Sequence, residues 1–237
     1  MHHLVADRPY LSTTLVRTAL NALRQAAPLS GHVLADFLIV RRHLDTPEAV
    51  HGPAATDQAV YQLLVESITG RLDHLRALEG LPLTTDVGAG RAAIEEALRG
   101  DFCRGNTELE AWSALYHRYV RVDLDLQMRA LAALASQDLR TTRRRLAHGV
   151  ARLTALLIEA ERAARAQQAR LRMRLTLPVA MPPALIGVEE VAAQAWEALV
   201  TEGRPVILHG AGGSGKTALA HCLAYRLIDQ DCIDDLV

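Results

Sequence analysis

A glycine-rich segment, GAGGSGKT at positions 210–217, constrains this 237-residue chain more than any other feature. It matches the pattern GxxxxGK[ST] at every fixed position. The apolar run Arg204 to His209 precedes it, and an amphipathic pattern from about Lys216 to Ile228 follows it. A short apolar run, a glycine turn and an amphipathic segment in this order predict a strand, a loop and a helix. The sequence therefore predicts one βα unit here.

This segment carries the donors that a nucleotide phosphate requires. Glycines let successive backbone N–H groups turn toward an anion, and the helix that follows directs its free N–H groups and dipole to the same point. Lys216 is expected to reach the β- and γ-phosphates, and the Thr217 hydroxyl is expected to contact Mg²⁺. The predicted ligands are ATP or ADP with Mg²⁺, and the predicted phosphate-binding residues are Gly210, Ala211, Gly212, Gly213, Ser214, Gly215, Lys216 and Thr217.

The choice of basic residues supports a special role for Lys216. The chain has 26 basic residues, and Lys216 is the only lysine among them. A single lysine among 25 arginines indicates that this position requires a compact ammonium charge rather than a planar guanidinium group.

The N-terminal three quarters of the chain predict helices. Apolar residues recur at spacings of three and four over 1–176. Candidate caps are Ser12, Ser30, Thr56 or Asp57, Asn106 or Thr107, and Asp138. The longest pattern runs from Leu139 to about Arg174, with His148-Gly149 as the expected interruption. Three prolines predict a linker over 177–187, and 188–237 are expected to begin an α/β phosphate-loop (Walker A) NTPase domain. The predicted fold class is a mainly α region followed by the first βα unit of a truncated domain.

Composition excludes several classes of protein. Hydrophobic residues make up 50% and charged residues 22%, so the chain can bury a core. The net charge of −1 excludes a uniformly basic protein, and no apolar run approaches the ~20 residues that span a bilayer. The N-terminus lacks a secretory signal, and three scattered cysteines support neither disulfides nor a zinc site. We expect a cytoplasmic protein with no membrane partner.

Hydrolysis requires more than a phosphate-binding loop. An acidic residue at the end of a later strand must hold Mg²⁺ and orient water. Asp234 and Asp235 come too early for this role, at the start of a predicted strand from Ile233 to Val237. We therefore expect the chain to be an N-terminal fragment that does not hydrolyse ATP alone, and its catalytic residues are unknown.

Residues 183–237 resemble the opening of a STAND-class signal-transduction NTPase, in the NB-ARC/NACHT-like branch of the AAA+ relatives. The segment LIGVEE, from Leu185 to Glu190, stands in the place of the hhGRE motif, with Val188 where arginine is common. The resemblance implies base-side contacts from Ile186 and Gly187. It also implies an ATP/ADP-operated switch that works with sensor and effector parts or by self-association. A conventional AAA+ ATPase is the alternative within the same class.

A basic middle suggests a second kind of partner. From Arg118 to Arg174 the chain has 13 arginines against five acidic residues, a net charge of +8. Leu131 to Leu146 resembles the helix-turn-helix of sigma-factor region four and LuxR-type regulators, which predicts such a motif over 128–153, with Ser136 in place of the usual turn glycine. Arg140, Arg143, Arg144 and His148 would then face DNA. The alternatives are a solvated arginine-rich face, a surface for an acidic protein and an adaptor helix that docks onto the NTPase part.

Overall fold

The computed structural model describes residues 11–29, 31–44, 52–88, 90–177, 187–230 and 232. Its chain divides into two compact units, Met1–Arg162 and Ala163–Val237. The α-helices of the described residues are α1 (Thr13–Arg24), α2 (Leu38–Leu44), α3 (Pro53–Leu78), α4 (Arg91–Phe102), α5 (Thr107–Leu115), α6 (Met128–Leu134), α7 (Leu139–Thr176), α8 (Glu189–Trp196) and α9 (Lys216–Asp229). The predicted mainly α character is confirmed over these residues.

Helix α3 supplies the centre of the first unit. Its fully buried residues Val60, Leu64, Ile68 and Leu72 recur every four positions, which places them on one face of a helix. This face packs against α2 and α5. The apolar period of the sequence thus becomes the contact that holds the helices together.

Three of the predicted caps begin their helices as expected, whereas α3 begins at Pro53 after Gly52 and not at Thr56 or Asp57. Ser30 lies outside the described residues. The Ser12 hydroxyl accepts a hydrogen bond from the backbone N–H of Leu15 at 3.3 Å. The side-chain oxygen Oδ1 of Asn106 accepts from the N–H of Leu109 at 3.2 Å, and the Asp138 carboxylate accepts from the N–H of Thr141 at 2.9 Å. Each cap satisfies N–H groups that the helix leaves without a partner.

Helix α7 runs without a break through Gly149, so the expected interruption at His148-Gly149 is wrong. Gly149 is instead a point of close approach between α7 and α5. A Cβ atom at this position would lie 2.6 Å from the carbonyl oxygen of Ala111 and 2.9 Å from Cγ of Leu115. The glycine is there because it leaves room for the neighbouring helix.

The predicted βα unit is also wrong over the described residues, which contain no strand or sheet. The segment 204–209 has no β-ladder partner. Val206 and Leu208 pack on the apolar core of the second unit, while Ile207 between them is 86% exposed. A β-strand requires a neighbour to take its backbone hydrogen bonds, and alternating apolar residues do not supply one. The second predicted strand, Ile233–Val237, lies outside the described residues.

The second unit has a small core between α8 and α9. Ala195, Leu219 and Leu223 are buried there, and the Arg226 guanidinium lies 4.2 Å from the ring centre of Trp196. Arg174 also pairs with Asp229 of α9. These contacts hold α9 within the second unit, from Leu219 near its start to Asp229 at its end.

No helix in the described part of the chain has the length and apolarity to cross a bilayer.

Candidate functional site

The glycine-rich segment forms a tight loop that leads directly into α9. Gly213 and Gly215 adopt φ angles of +76° and +79°, in the left-handed region that favours glycine. The Ser214 N–H donates to the Ala211 carbonyl at 3.3 Å, and the Leu219 N–H donates to the Gly215 carbonyl at 2.8 Å. The glycines therefore turn the chain sharply, and the helix begins at once after the turn.

The N-terminal end of α9 is open to an anion. Gly215 occupies the cap position, and no side chain caps this end of the helix. A Cβ atom added at Gly212, Gly213 or Gly215 would meet no atom within 4 Å, so the space beside the loop is clear. The free N–H groups and the positive end of the helix dipole favour a phosphate at such a position.

Lys216 brings the charge to the same point. Its ammonium Nζ donates to the carbonyl oxygens of Gly210 at 3.0 Å and of Ala211 at 2.7 Å, and it lies 3.4 Å from the Ser214 hydroxyl. These partners are neutral and belong to the loop itself. The cation thus stands over the loop, half-buried, without a carboxylate to neutralise it among the contacts of the described residues.

A cavity of about 450 Å³ adjoins the loop. This volume falls in the range of small-molecule sites, about 300–1,000 Å³. Ser214, Gly215 and Lys216 of the loop line it, together with the polar side chains of Gln194 and His209. The rest of the lining is apolar and includes Val188, Val191, Ala195, Val206, Leu208 and Leu219. The cavity therefore combines polar groups of the loop with a mainly apolar surface.

Of the two residues predicted to contact the base, the structure describes only Gly187. Ile186 lies outside the described residues. Gly187 is exposed with a φ angle of +78°, and its neighbour Val188 lines the cavity. Val191 and Gln194 of α8 also line the cavity, although neither residue was predicted from the sequence. The helical spacing 188, 191, 194 and 198 was the signal that could have found this face.

Metal ligands are sparse around the loop. The described residues hold no group of three or more His, Cys, Asp or Glu side chains that could bind an ion. The Thr217 side chain is exposed at the first turn of α9. Asp234 and Asp235 lie outside the described residues. The uncapped N–H groups of α9 and the Lys216 ammonium suit a phosphate, and the contact of Mg²⁺ with the Thr217 hydroxyl stays a prediction.

Among the basic residues at positions 140–152, some pair with carboxylates of α5 and others pair with no carboxylate of the described residues. Arg145 pairs with Glu110 at 2.5 Å, and His148 and Arg152 pair with Glu108 at 2.9 and 3.0 Å. Partial burial favours the neutral form of Glu108, but the His148 hydrogen bond and the Arg152 charge outweigh it and lower the pKa of Glu108. His148, one of the four predicted DNA contacts, is thus engaged with α5.

The other three predicted DNA contacts remain accessible. Arg140, Arg143 and Arg144 are exposed and form no ion pair with any described residue. The turn before them is well defined: Ser136 has a φ angle of +52°, and the Gln137 N–H donates to the Ala132 carbonyl at 3.0 Å. This bond is that of a Schellman helix end, with serine in the position glycine usually takes.

Comparisons with protein-family models, with curated proteins and with solved structures find no match for this chain. The resemblances to STAND NTPases and to helix-turn-helix regulators therefore stay predictions.

Proposed function

We propose that this protein binds the phosphates of ATP or ADP through residues 210–217 and acts as a nucleotide-dependent regulatory switch. The observation that carries the proposal is the position of Lys216. Its ammonium lies over a glycine loop at the uncapped end of a 14-residue helix. A phosphate bound at this loop would accept hydrogen bonds from the Lys216 ammonium and the loop N–H groups and would meet the positive end of the helix dipole.

Binding replaces weak partners of Lys216 with a strong one. In the free protein the ammonium contacts the neutral carbonyls of Gly210 and Ala211. A phosphate oxygen carries a negative charge, so it adds a Coulomb attraction to the hydrogen bond that the Lys216 ammonium donates. The mainly apolar cavity beside the loop receives the nucleoside, and Mg²⁺ supplies positive charge that neutralises the β- and γ-phosphate oxygens when bound.

The same exchange is the basis of the switch. Lys216 has two sets of partners, its own loop or a phosphate, and each set favours a different arrangement of residues 210–216. The resemblance to STAND NTPases supports a regulatory role with sensor and effector parts or self-association, in the cytoplasm. Multiple turnover of ATP by the purified chain would favour the alternative of a conventional ATPase.

Calorimetric titration with MgATP and MgADP tests the proposal. Lys216→Ala removes the ammonium and is expected to weaken binding by about 10- to 100-fold, the worth of one hydrogen bond to a charged group. Arg204→Ala is the matched control, since Arg204 is exposed and pairs with Glu202. Equal affinity of Lys216→Ala and Arg204→Ala would contradict the proposal.

A second candidate function is binding of duplex DNA by Arg140, Arg143 and Arg144. The observation that favours it is the contrast along α7, where the neighbouring Arg145, His148 and Arg152 are paired with carboxylates of α5 and these three are not. Exposed guanidinium groups without a carboxylate are suited to phosphates.

Salt-dependent binding to a DNA duplex tests this second function. Replacing all three arginines with alanine is expected to reduce the slope of log K against log[salt] by up to about three. Arg152→Ala, which removes an arginine already paired with Glu108, is the control. An unchanged slope in the triple variant would exclude this face as the DNA contact.

A further inference from the structure

A buried polar cluster in the first unit lies apart from both candidate sites. The Arg76 guanidinium donates to both carboxylate oxygens of Asp101, at 2.9 and 2.7 Å. The Ser113 hydroxyl lies 2.5 Å from the same carboxylate and 3.2 Å from Nδ1 of His117. All four side chains are buried, and His117 is only 1% exposed.

Two contacts fix the tautomer of His117. Nδ1 lies 2.9 Å from the carbonyl oxygen of Ser113, which can only accept a hydrogen bond. The Ser113 hydroxyl donates its proton to Asp101, so it too can only accept from Nδ1. Nδ1 therefore carries the hydrogen. Burial lowers the pKa of His117 to about 4, so the ring is neutral near pH 7 and Nε2 keeps its lone pair.

Nε2 of His117 requires a donor that the protein does not provide. It is fully buried and has no hydrogen-bond partner among the described residues. Leaving a buried polar atom without a hydrogen-bond partner is energetically unfavourable, and such atoms are therefore rare in folded proteins. The ring also lines a small cavity of about 10 Å³, together with Arg76, Thr84, Ala97, Tyr116 and Arg121. That is close to the volume that one water molecule requires.

We propose that this cavity binds one water molecule, which donates a hydrogen bond to Nε2 of His117. The lone pair on Nε2 disfavours an anion such as chloride, and the guanidinium groups of Arg76 and Arg121 disfavour a cation. The Thr84 hydroxyl, which itself donates to Asp73 at 2.8 Å, is free to accept the second hydrogen of the water. The water would join the loop after α3 to the π-helical turn Tyr116–Val120 that follows α5.

A cavity-filling variant tests the proposal. Ala97→Val adds two methyl groups beside the cavity, and Ala92→Val makes the same change at an exposed position of α4. If a water occupies the cavity, the added methyls expel it, and Ala97→Val has a lower Tm than Ala92→Val. An equal or higher Tm overturns the proposal, because it would show that the added methyl groups displace no bound water that stabilises the fold.

Two further measurements separate water loss from steric strain and from misfolding. In a His117→Phe background, which has no Nε2, the penalty of Ala97→Val is expected to vanish, and a penalty that persists overturns the proposal. In the wild-type chain, ¹⁵N shifts of the His117 ring should show Nδ1 protonated and Nε2 unprotonated at pH 7. A proton on Nε2 overturns it without any variant.

Discussion

The ammonium Nζ of Lys216 lies 2.7 Å from the carbonyl oxygen of Ala211, five residues earlier in the chain. The contact closes the glycine loop on itself with the one lysine of the protein. A lysine held by neutral carbonyls is ready to exchange them for a charged oxygen, since hydrogen bonds between ions are the stronger kind. The proposed function depends on this exchange.

The loop conformation predicts unequal effects of two glycine substitutions. Gly215→Ala is expected to weaken phosphate binding about 5- to 30-fold, because a φ angle of +79° costs a residue with a Cβ atom about 1–2 kcal/mol. Gly212→Ala is the matched control: its φ angle is not positive, and its Cβ would meet no atom within 4 Å. Calorimetric titration with MgATP compares them. If Gly212→Ala loses as much affinity as Gly215→Ala, backbone conformation is not the reason for the glycines.

Gly149→Ala is expected to destabilise the first unit. The new Cβ would lie 2.6 Å from the backbone oxygen of Ala111, and a backbone atom does not move aside as a side chain does. Overpacking of this kind costs about 1–3 kcal/mol. Urea denaturation followed by circular dichroism measures the loss. Gly70→Ala in α3 has open space around the new Cβ and should be neutral or stabilising.

The buried pair of Arg76 and Asp101 predicts a large effect from a small change. Asp101→Asn leaves the guanidinium buried without its countercharge, because these side chains are 2% and 1% exposed. Breaking one partner of such a pair costs about 3–5 kcal/mol. The exposed pair of Arg91 and Glu95 is the control, and Arg91→Ala should cost less than about 1 kcal/mol. Similar losses in both variants would contradict the assignment.

His117 predicts a loss of stability in acid. Burial lowers the pKa of its ring from the ordinary 6.5 to about 4 in the folded protein. Between these values the unfolded chain binds the proton more readily, so the free energy of unfolding falls as the pH falls from 6.5 to 4. The expected contribution is up to about 3 kcal/mol. His117→Asn should flatten the dependence in urea titrations at several pH values, and an equally steep dependence in that variant would assign the loss to other groups.

Much of the helical architecture could be predicted from the sequence because its signals are local. The caps at Ser12, Asn106 and Asp138 act within three residues, and apolar spacing reports the buried face of each helix. The role of Gly149 could not be predicted, because glycine is required there by the close approach of the α5 backbone, which lies far away in the sequence. The strand assigned to 204–209 failed for a related reason, since a strand depends on a partner that its own residues do not reveal.

The candidate site was predictable to a similar degree. The helix that begins at Lys216 follows from a local pattern, and the binding of a phosphate by the loop before it stays a prediction. The cavity beside the loop depends on how α8 packs, so Val191 and Gln194 were missed. The pairing of His148 with Glu108 joins residues 40 positions apart, which no local pattern indicates.

The most direct test of the central claim is an amide NMR titration of the ¹⁵N-labelled protein with MgATP. The account predicts saturable downfield shifts of the amides of residues 210–217, because loop N–H groups donate to the phosphates, with shifts at 188–195 from the cavity wall. Shifts confined to the exposed arginines 140, 143 and 144, or no saturable shift at 210–217, would contradict it.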